Sequence, residues 1–106
     1  EAVVVQAEAL ASRTGPWAIV AASEATLERA QAEVERAKAQ GYSPTVIYKQ
    51  DEWFNVVVGS FPTQNEAQQA LVAIRAKIRD NAFVVDLSAW CNAPAGRGAY
   101  FECQPR

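Results

Sequence analysis

A chain of 106 residues is long enough for one modest hydrophobic core and too short for two, so a single domain is expected. Half of the residues are hydrophobic and 21% are charged, an ordinary globular balance that excludes a disordered or collagen-like chain. Ten basic and twelve acidic residues give a net charge of −2 with no basic cluster, so nothing invites nucleic acid, and no apolar run approaches the roughly 20 residues that span a bilayer.

Residues 1–14 mix valines with good helix formers without a clear period, and together with Gly15-Pro16 they make a lead-in, residues 1–16. Proline fixes its own φ and pushes the residue before it out of the helical region, so the folded unit is expected over residues 17–106. The first residue is Glu1 and not a methionine, which suggests a fragment or a processed product whose signal peptide or anchor would lie outside it.

From Trp17 the run WAIVAA reads as a buried strand. The hydroxyls of Ser23 and Thr26 then offer caps for a helix reaching to about Gln40, with Leu27, Ala30, Val34 and Ala37 on one face. Gly41 falls where helices commonly end in a left-handed residue. Residues 45–49, TVIYK, supply a second strand, QDE a turn, and residues 53–61, WFNVVVGSF, a third strand. Thr63-Gln64-Asn65-Glu66 fits a capping box, and the helix it opens carries Ala67, Leu71, Ile74 and Ile78 on one face. AFVVDL, residues 82–87, is the next strand, and AYFEC, residues 99–103, is a candidate for an extra one.

Sliding the chain against itself by 54 − 17 = 37 residues puts Trp17 on Phe54, Ile19 on Val56, Ser23 on Ser60, Thr26 on Thr63 and Ala30 on Ala67. This reads as one β-α-β unit used twice, over residues 17–50 and 53–90. Two such units predict an α+β fold of the split β-α-β, ferredoxin-like kind: a four-stranded antiparallel sheet with both helices on one face and room for an extra C-terminal strand. Side-chain alternation sends Ile19, Ala21, Val56 and Val58 toward the helices, and Ala18, Val20, Asn55 and Val57 toward a face expected to stay open. Ser23 and Ser60, at the strand ends, read as helix caps. Gly59 and Ala22 are small either to permit a positive φ or to let helix and sheet approach closely.

Cys91 and Cys103 flank a Pro/Gly loop that can fold back as a hairpin, so a disulfide is expected and with it an oxidising compartment; two reduced thiols are the alternative. The chain has two cysteines and no histidine, which leaves no ligand set for a zinc site, no base for a serine nucleophile and no call for a cofactor. VGSF lacks the second glycine of a nucleophile elbow. The carboxylates Asp51-Glu52, Glu28, Glu33 and Glu35 read as solvated surface, so no catalytic residue is assigned and an enzyme is not expected.

VVVGSF (56–61) and NEAQQAL (65–71), repeated more loosely as IVAAS (19–23) and RAQAEV (29–34), resemble the SPOR domain over about residues 17–89. The resemblance implies a noncatalytic module of bacterial cell-envelope proteins, periplasmic or otherwise extracytoplasmic. Such modules bind peptidoglycan, prefer glycan strands stripped of stem peptides and often direct their host protein to the division septum. It also implies that the open sheet face is the glycan platform, formed here by Trp53, Asn55, Val20 and Val57, with Tyr48 and Gln50 at its border and Arg97 and Tyr100 on its other side. Trp17 reads instead as core or rim packing. Where the family usually carries a glutamine, two positions before the glycine, this chain has Val20 and Val57, which offer sugar hydroxyls no partner. Those valines motivate the rival reading, a protein-interaction or accessory module whose open apolar face is covered by a partner or a second copy. A monomer or weak homodimer is expected.

Overall fold

In the computed structural model, which describes residues 15–104, the apolar runs form strands β1 (Trp17–Glu24), β2 (Thr45–Gln50), β3 (Trp53–Phe61) and β4 (Phe83–Asp86). The striped segments form helices α1 (Leu27–Ala39) and α2 (Gln64–Lys77). A short helix α3 (Leu87–Trp90) and two-residue strands β5 (Ala95–Gly96) and β6 (Phe101–Glu102) follow β4. The competing strand and helix readings of residues 1–14 fall outside the described residues.

The α+β class is the one expected, but the sheet differs. Among the described residues it has six strands in the order β4-β1-β3-β2-β6-β5, and because β6 lies parallel to β2 it is mixed, not four-stranded and antiparallel. Among the described residues three helices, not two, accompany it. The reason lies after β4, where the chain turns through α3 and lays Phe101–Glu102 beside Tyr48–Lys49, with the Cys103 amide donating to the Lys49 carbonyl at 2.8 Å. Backbone groups on that edge of β2 that the four-stranded sheet would leave unpaired thereby find partners.

Both long helices begin at a threonine. The Thr26 hydroxyl accepts from the Arg29 amide at 3.3 Å and the Thr63 hydroxyl from the Glu66 amide at 3.2 Å. Ser23 and Ser60 are not caps, because β1 and β3 continue through them. The Ser23 hydroxyl donates to Asn55 Oδ1 at 2.6 Å, and the Ser60 hydroxyl donates to the Gly15 carbonyl at 3.0 Å while accepting from the Gly15 amide at 3.1 Å. Gly41, just past α1, has a φ of +90°, the left-handed ending that its position suggested.

The helix side of the sheet buries Ile19, Ala21, Ala22, Ile47, Val56 and Val58 against Ala30, Ala37, Leu71, Ile74 and Ile78. The opposite side, expected to stay open, carries a second core. Ala18, Val20, Val46, Tyr48 and Val57 cluster there with Leu87, Cys91, Cys103, Trp90 and Phe101 of the C-terminal segment. Cys91 and Cys103 form a disulfide with their Cα atoms 5.1 Å apart.

Two irregularities interrupt the pairing of β1 with β3. One is on β3, where three residue steps from Val58 to Phe61 face two from Ile19 to Trp17; Gly59 sits there with φ +82°, and a Cβ on it would collide with the Phe61 ring. Of the two explanations for this glycine, the positive φ is the one realised. The other is on β1: Val20 faces Val57 and Ala22 faces Val56, so Ala21 is an extra residue. Ala21 and Ala22 both point into the helix-side core, and alternation resumes one residue out of step.

Candidate functional site

The bulge at Ala21 turns Ser23 onto the side of the sheet away from the helices, directly opposite Asn55. There the last residues of β1 and β2 and the first of β3 surround a pocket of about 290 Å³ lined by Ser23, Gln50, Asp51, Trp53 and Asn55. That volume sits at the lower limit of small-ligand clefts, enough for a ring-sized group. Trp53 is 52% exposed, an unusual position for so large an apolar surface, and supplies the aromatic wall.

Asn55 forms the floor and is only 5% exposed. Its Nδ2 donates to the Tyr48 carbonyl at 3.1 Å and to the Trp53 carbonyl at 3.3 Å, and its Oδ1 accepts from Ser23. One amide thus ties the ends of β1, β2 and β3 together and fixes the backbone that carries the indole. Both amide hydrogens are committed to this work, so the groups facing outward are the exposed Ser23 oxygen, the Asp51 carboxylate and the partly exposed Gln50 amide. Gln50 also donates through Nε2 to the Trp90 carbonyl, linking the pocket to the C-terminal segment. Asp51 occupies the turn between β2 and β3 with φ +57°, a left-handed conformation that aspartate tolerates better than most residues.

Of the residues assigned to the glycan platform from the sequence, Trp53, Asn55 and Gln50 therefore meet at one pocket. Val20, Val57 and Tyr48 lie on the same side of the sheet but are buried, with Tyr48 stacked on Phe101 at 5.6 Å and edge-on to Trp90 at 6.3 Å. Arg97 is paired with Glu102 at 2.8 Å, and Tyr100 packs edge-on against Phe54 at 5.2 Å on the helix side, so neither lines the pocket. Trp17 is half-buried at the opposite end of the sheet from Trp53, paired with Phe61 and Asp86. Ser23 and Asp51 were missed as lining residues because Ser23 read as a cap and Asp51 as plain turn surface. Only the bulge, invisible in a run of alanines, brings Ser23 to the site.

Other charged groups of the domain are held in local pairs. Arg79 contacts Glu24 at 2.8 Å and Glu33 at 3.2 Å, and the Glu33 hydrogen bond is the chief reason its guanidinium is held above its ordinary range. The Asp86 carboxyl is held below its ordinary value, chiefly by the Ser88 hydroxyl, and the Glu102 carboxyl below its own, chiefly by Arg97. Among the described residues no group of three acidic, cysteine or histidine side chains is placed to hold a metal ion, and no helix is long and apolar enough to cross a membrane.

The SPOR domain family model matches residues 13–86, which is most of the chain. The chain belongs to the SPOR domain family. This is a family of noncatalytic peptidoglycan-binding modules found in cell-envelope proteins. The SPOR match ends at Asp86, so α3, the disulfide and strands β5 and β6 lie beyond it. No curated protein and no solved structure matches the chain significantly.

Proposed function

We propose that this SPOR domain binds the sugar backbone of peptidoglycan, with a preference for strands stripped of stem peptides, through the pocket at Trp53. The observation that carries this reading is a half-exposed indole beside Ser23, Gln50 and Asp51 at a cleft on the far side of the sheet. A sugar ring presents apolar C–H groups on its face and hydroxyls at its edge. An aromatic wall beside a few outward polar groups matches both. Trp53 is assigned the stacking role, Ser23, Gln50 and Asp51 the hydrogen bonds, and Asn55 the positioning of Trp53. Val20, Val57 and Tyr48 act as the packed base of the platform.

The disulfide supports an extracytoplasmic location, since such bonds persist in oxidising compartments. Recruitment to the septum would follow if stripped strands concentrate there. The two β-α-β units, each with a threonine cap, are proposed to descend from one repeated half-domain. The rival reading, a face covered by a second protein, was motivated by Val20 and Val57, and their burial removes that motive. The domain is accordingly proposed to act as a monomer.

The test is co-sedimentation with purified sacculi before and after amidase treatment. Binding should rise on amidase-treated material, and Trp53→Ala should reduce it about tenfold or more, with thermal stability unchanged because the side chain is exposed. Equal retention of wild type and Trp53→Ala would remove the assignment.

A further inference from the structure

The Trp53 pocket is lopsided in its hydrogen-bonding capacity. The Ser23 hydroxyl spends its only hydrogen on Asn55 Oδ1, so it turns nothing but lone pairs outward. Asn55 has its amide hydrogens bound to the Tyr48 and Trp53 carbonyls. Asp51 is a carboxylate, an acceptor without a hydrogen to give. Apart from the indole N–H, the side chains lining the pocket keep a spare hydrogen only on Gln50, whose other one goes to the Trp90 carbonyl.

The charge is equally one-sided. Among the described residues no lysine or arginine lines the pocket, and Asp51 has no ion-pair partner. Lys49, the nearest cation in sequence, faces Phe54 across β2 and β3 and lies 5.4 Å over its ring, on the helix side of the sheet. Glu52, exposed beside Asp51 in the turn between those strands, adds a second negative charge. The face of the Trp53 ring is itself the negative side of a quadrupole.

From this balance of donors and charge we infer that the pocket selects an amino sugar whose nitrogen is free and protonated over its N-acetylated counterpart. The inference rests on the sugar-binding reading of the pocket and names the sugar. An ammonium brings three hydrogens and a positive charge to a set of acceptors. An acetamide brings one hydrogen, and its carbonyl would compete for the few donors present. The ammonium also draws electrons from the adjacent C–H groups, which strengthens their contact with the indole face. The side-chain ammonium of a peptide would satisfy the charge, but it arrives on a slender chain that fills a ring-sized pocket of about 290 Å³ poorly.

Titration calorimetry with peptide-free glycan oligomers, N-acetylated and chemically de-N-acetylated, measures the selectivity. The wild type should bind the de-N-acetylated oligomer about tenfold more tightly. Asp51→Asn removes the charge and keeps a residue that tolerates the left-handed turn, where φ is +57°, so the ratio of the two affinities should fall to about one. Glu52→Gln removes a charge outside the pocket lining and should keep the ratio within about twofold of wild type. Equal affinities in the wild type, an undiminished ratio in Asp51→Asn, or a ratio abolished by Glu52→Gln overturns the inference and leaves the sugar site standing. Displacement of the de-N-acetylated oligomer by an equal concentration of a lysine-bearing tripeptide assigns the ammonium to peptide and overturns it too. A wild type that binds neither oligomer overturns the Trp53 reading and the selectivity with it.

Discussion

On its helix side the sheet is covered by α1 and α2, which present continuous apolar stripes and are each anchored by a threonine cap. On its far side it is covered by a segment with no period, closed on itself by one disulfide and the Gln104–Asn92 hydrogen bond, and held to the sheet by a two-residue parallel strand and single hydrogen bonds from Cys103 to Lys49 and from Gln50 to Trp90. The first cover is built from many small, cooperative burials spread along regular elements. The second concentrates its hold in a few discrete links, and it stops short of Trp53. The difference teaches that one sheet can dedicate a whole face to stability and divide the other between stability and binding.

That contrast can be broken in steps of decreasing size. Ile74, fully buried between α2 and the sheet, is a pillar of the helix side, and Ile74→Ala should lower the unfolding free energy by about 2–5 kcal/mol, read from urea denaturation. Replacing both cysteines by serine should cost about 3 kcal/mol, the loop-closure value for a cross-link of this span, and should raise 1-anilinonaphthalene-8-sulfonate fluorescence as Val20, Val57 and Tyr48 lose cover. If that double variant binds no more dye than wild type, the far-side cover does not depend on its covalent link. Thr26→Ala and Thr63→Ala should each cost about 1 kcal/mol, and matching values would show that the two caps serve the helix side equally.

The smallest effect should come from acid. Asp86 caps α3 and Glu102 pairs with Arg97 in β6, and both carboxyls are held below their ordinary values of 3.8 and 4.5. A carboxyl with a lowered folded pKa stabilises above its ordinary value, and that contribution fades as pH falls through the lowered one. The C-terminal segment should therefore loosen below about pH 4 before the helix side does, visible as a change in Trp90 fluorescence while far-ultraviolet dichroism holds. Asp86→Asn should flatten part of that transition.

How much of this was legible follows from how local each signal is. The stripes of α1 and α2, the Thr63 cap, the strand at residues 53–61 and the left-handed Gly41 all sit within a few positions of their causes, and each could be read directly. α3 is four residues long, too short to show a helical period, and the partner of Phe101–Glu102 lies more than 50 positions away, so AYFEC could be read as an extra strand but neither its parallel place beside β2 nor the covered face was visible. Cysteine spacing did point to the cross-link, but not to what it would fasten down. Trp53 and Asn55 were placed on the correct face by alternation, yet the role of Asn55 as an internal tie depends on carbonyls that only pairing brings near.

The extra alanine in β1 also sets the electrical character of the cleft. Had β1 kept all its residues and alternated regularly past Val20 without bulging, the Glu24 carboxylate would stand over the mouth beside Asp51, leaving Arg79 on the opposite surface with only Glu33 for company. The bulge thus keeps the opening hydroxyl-lined where regular alternation would make it doubly acidic and repel any sugar that bears a carboxylate of its own.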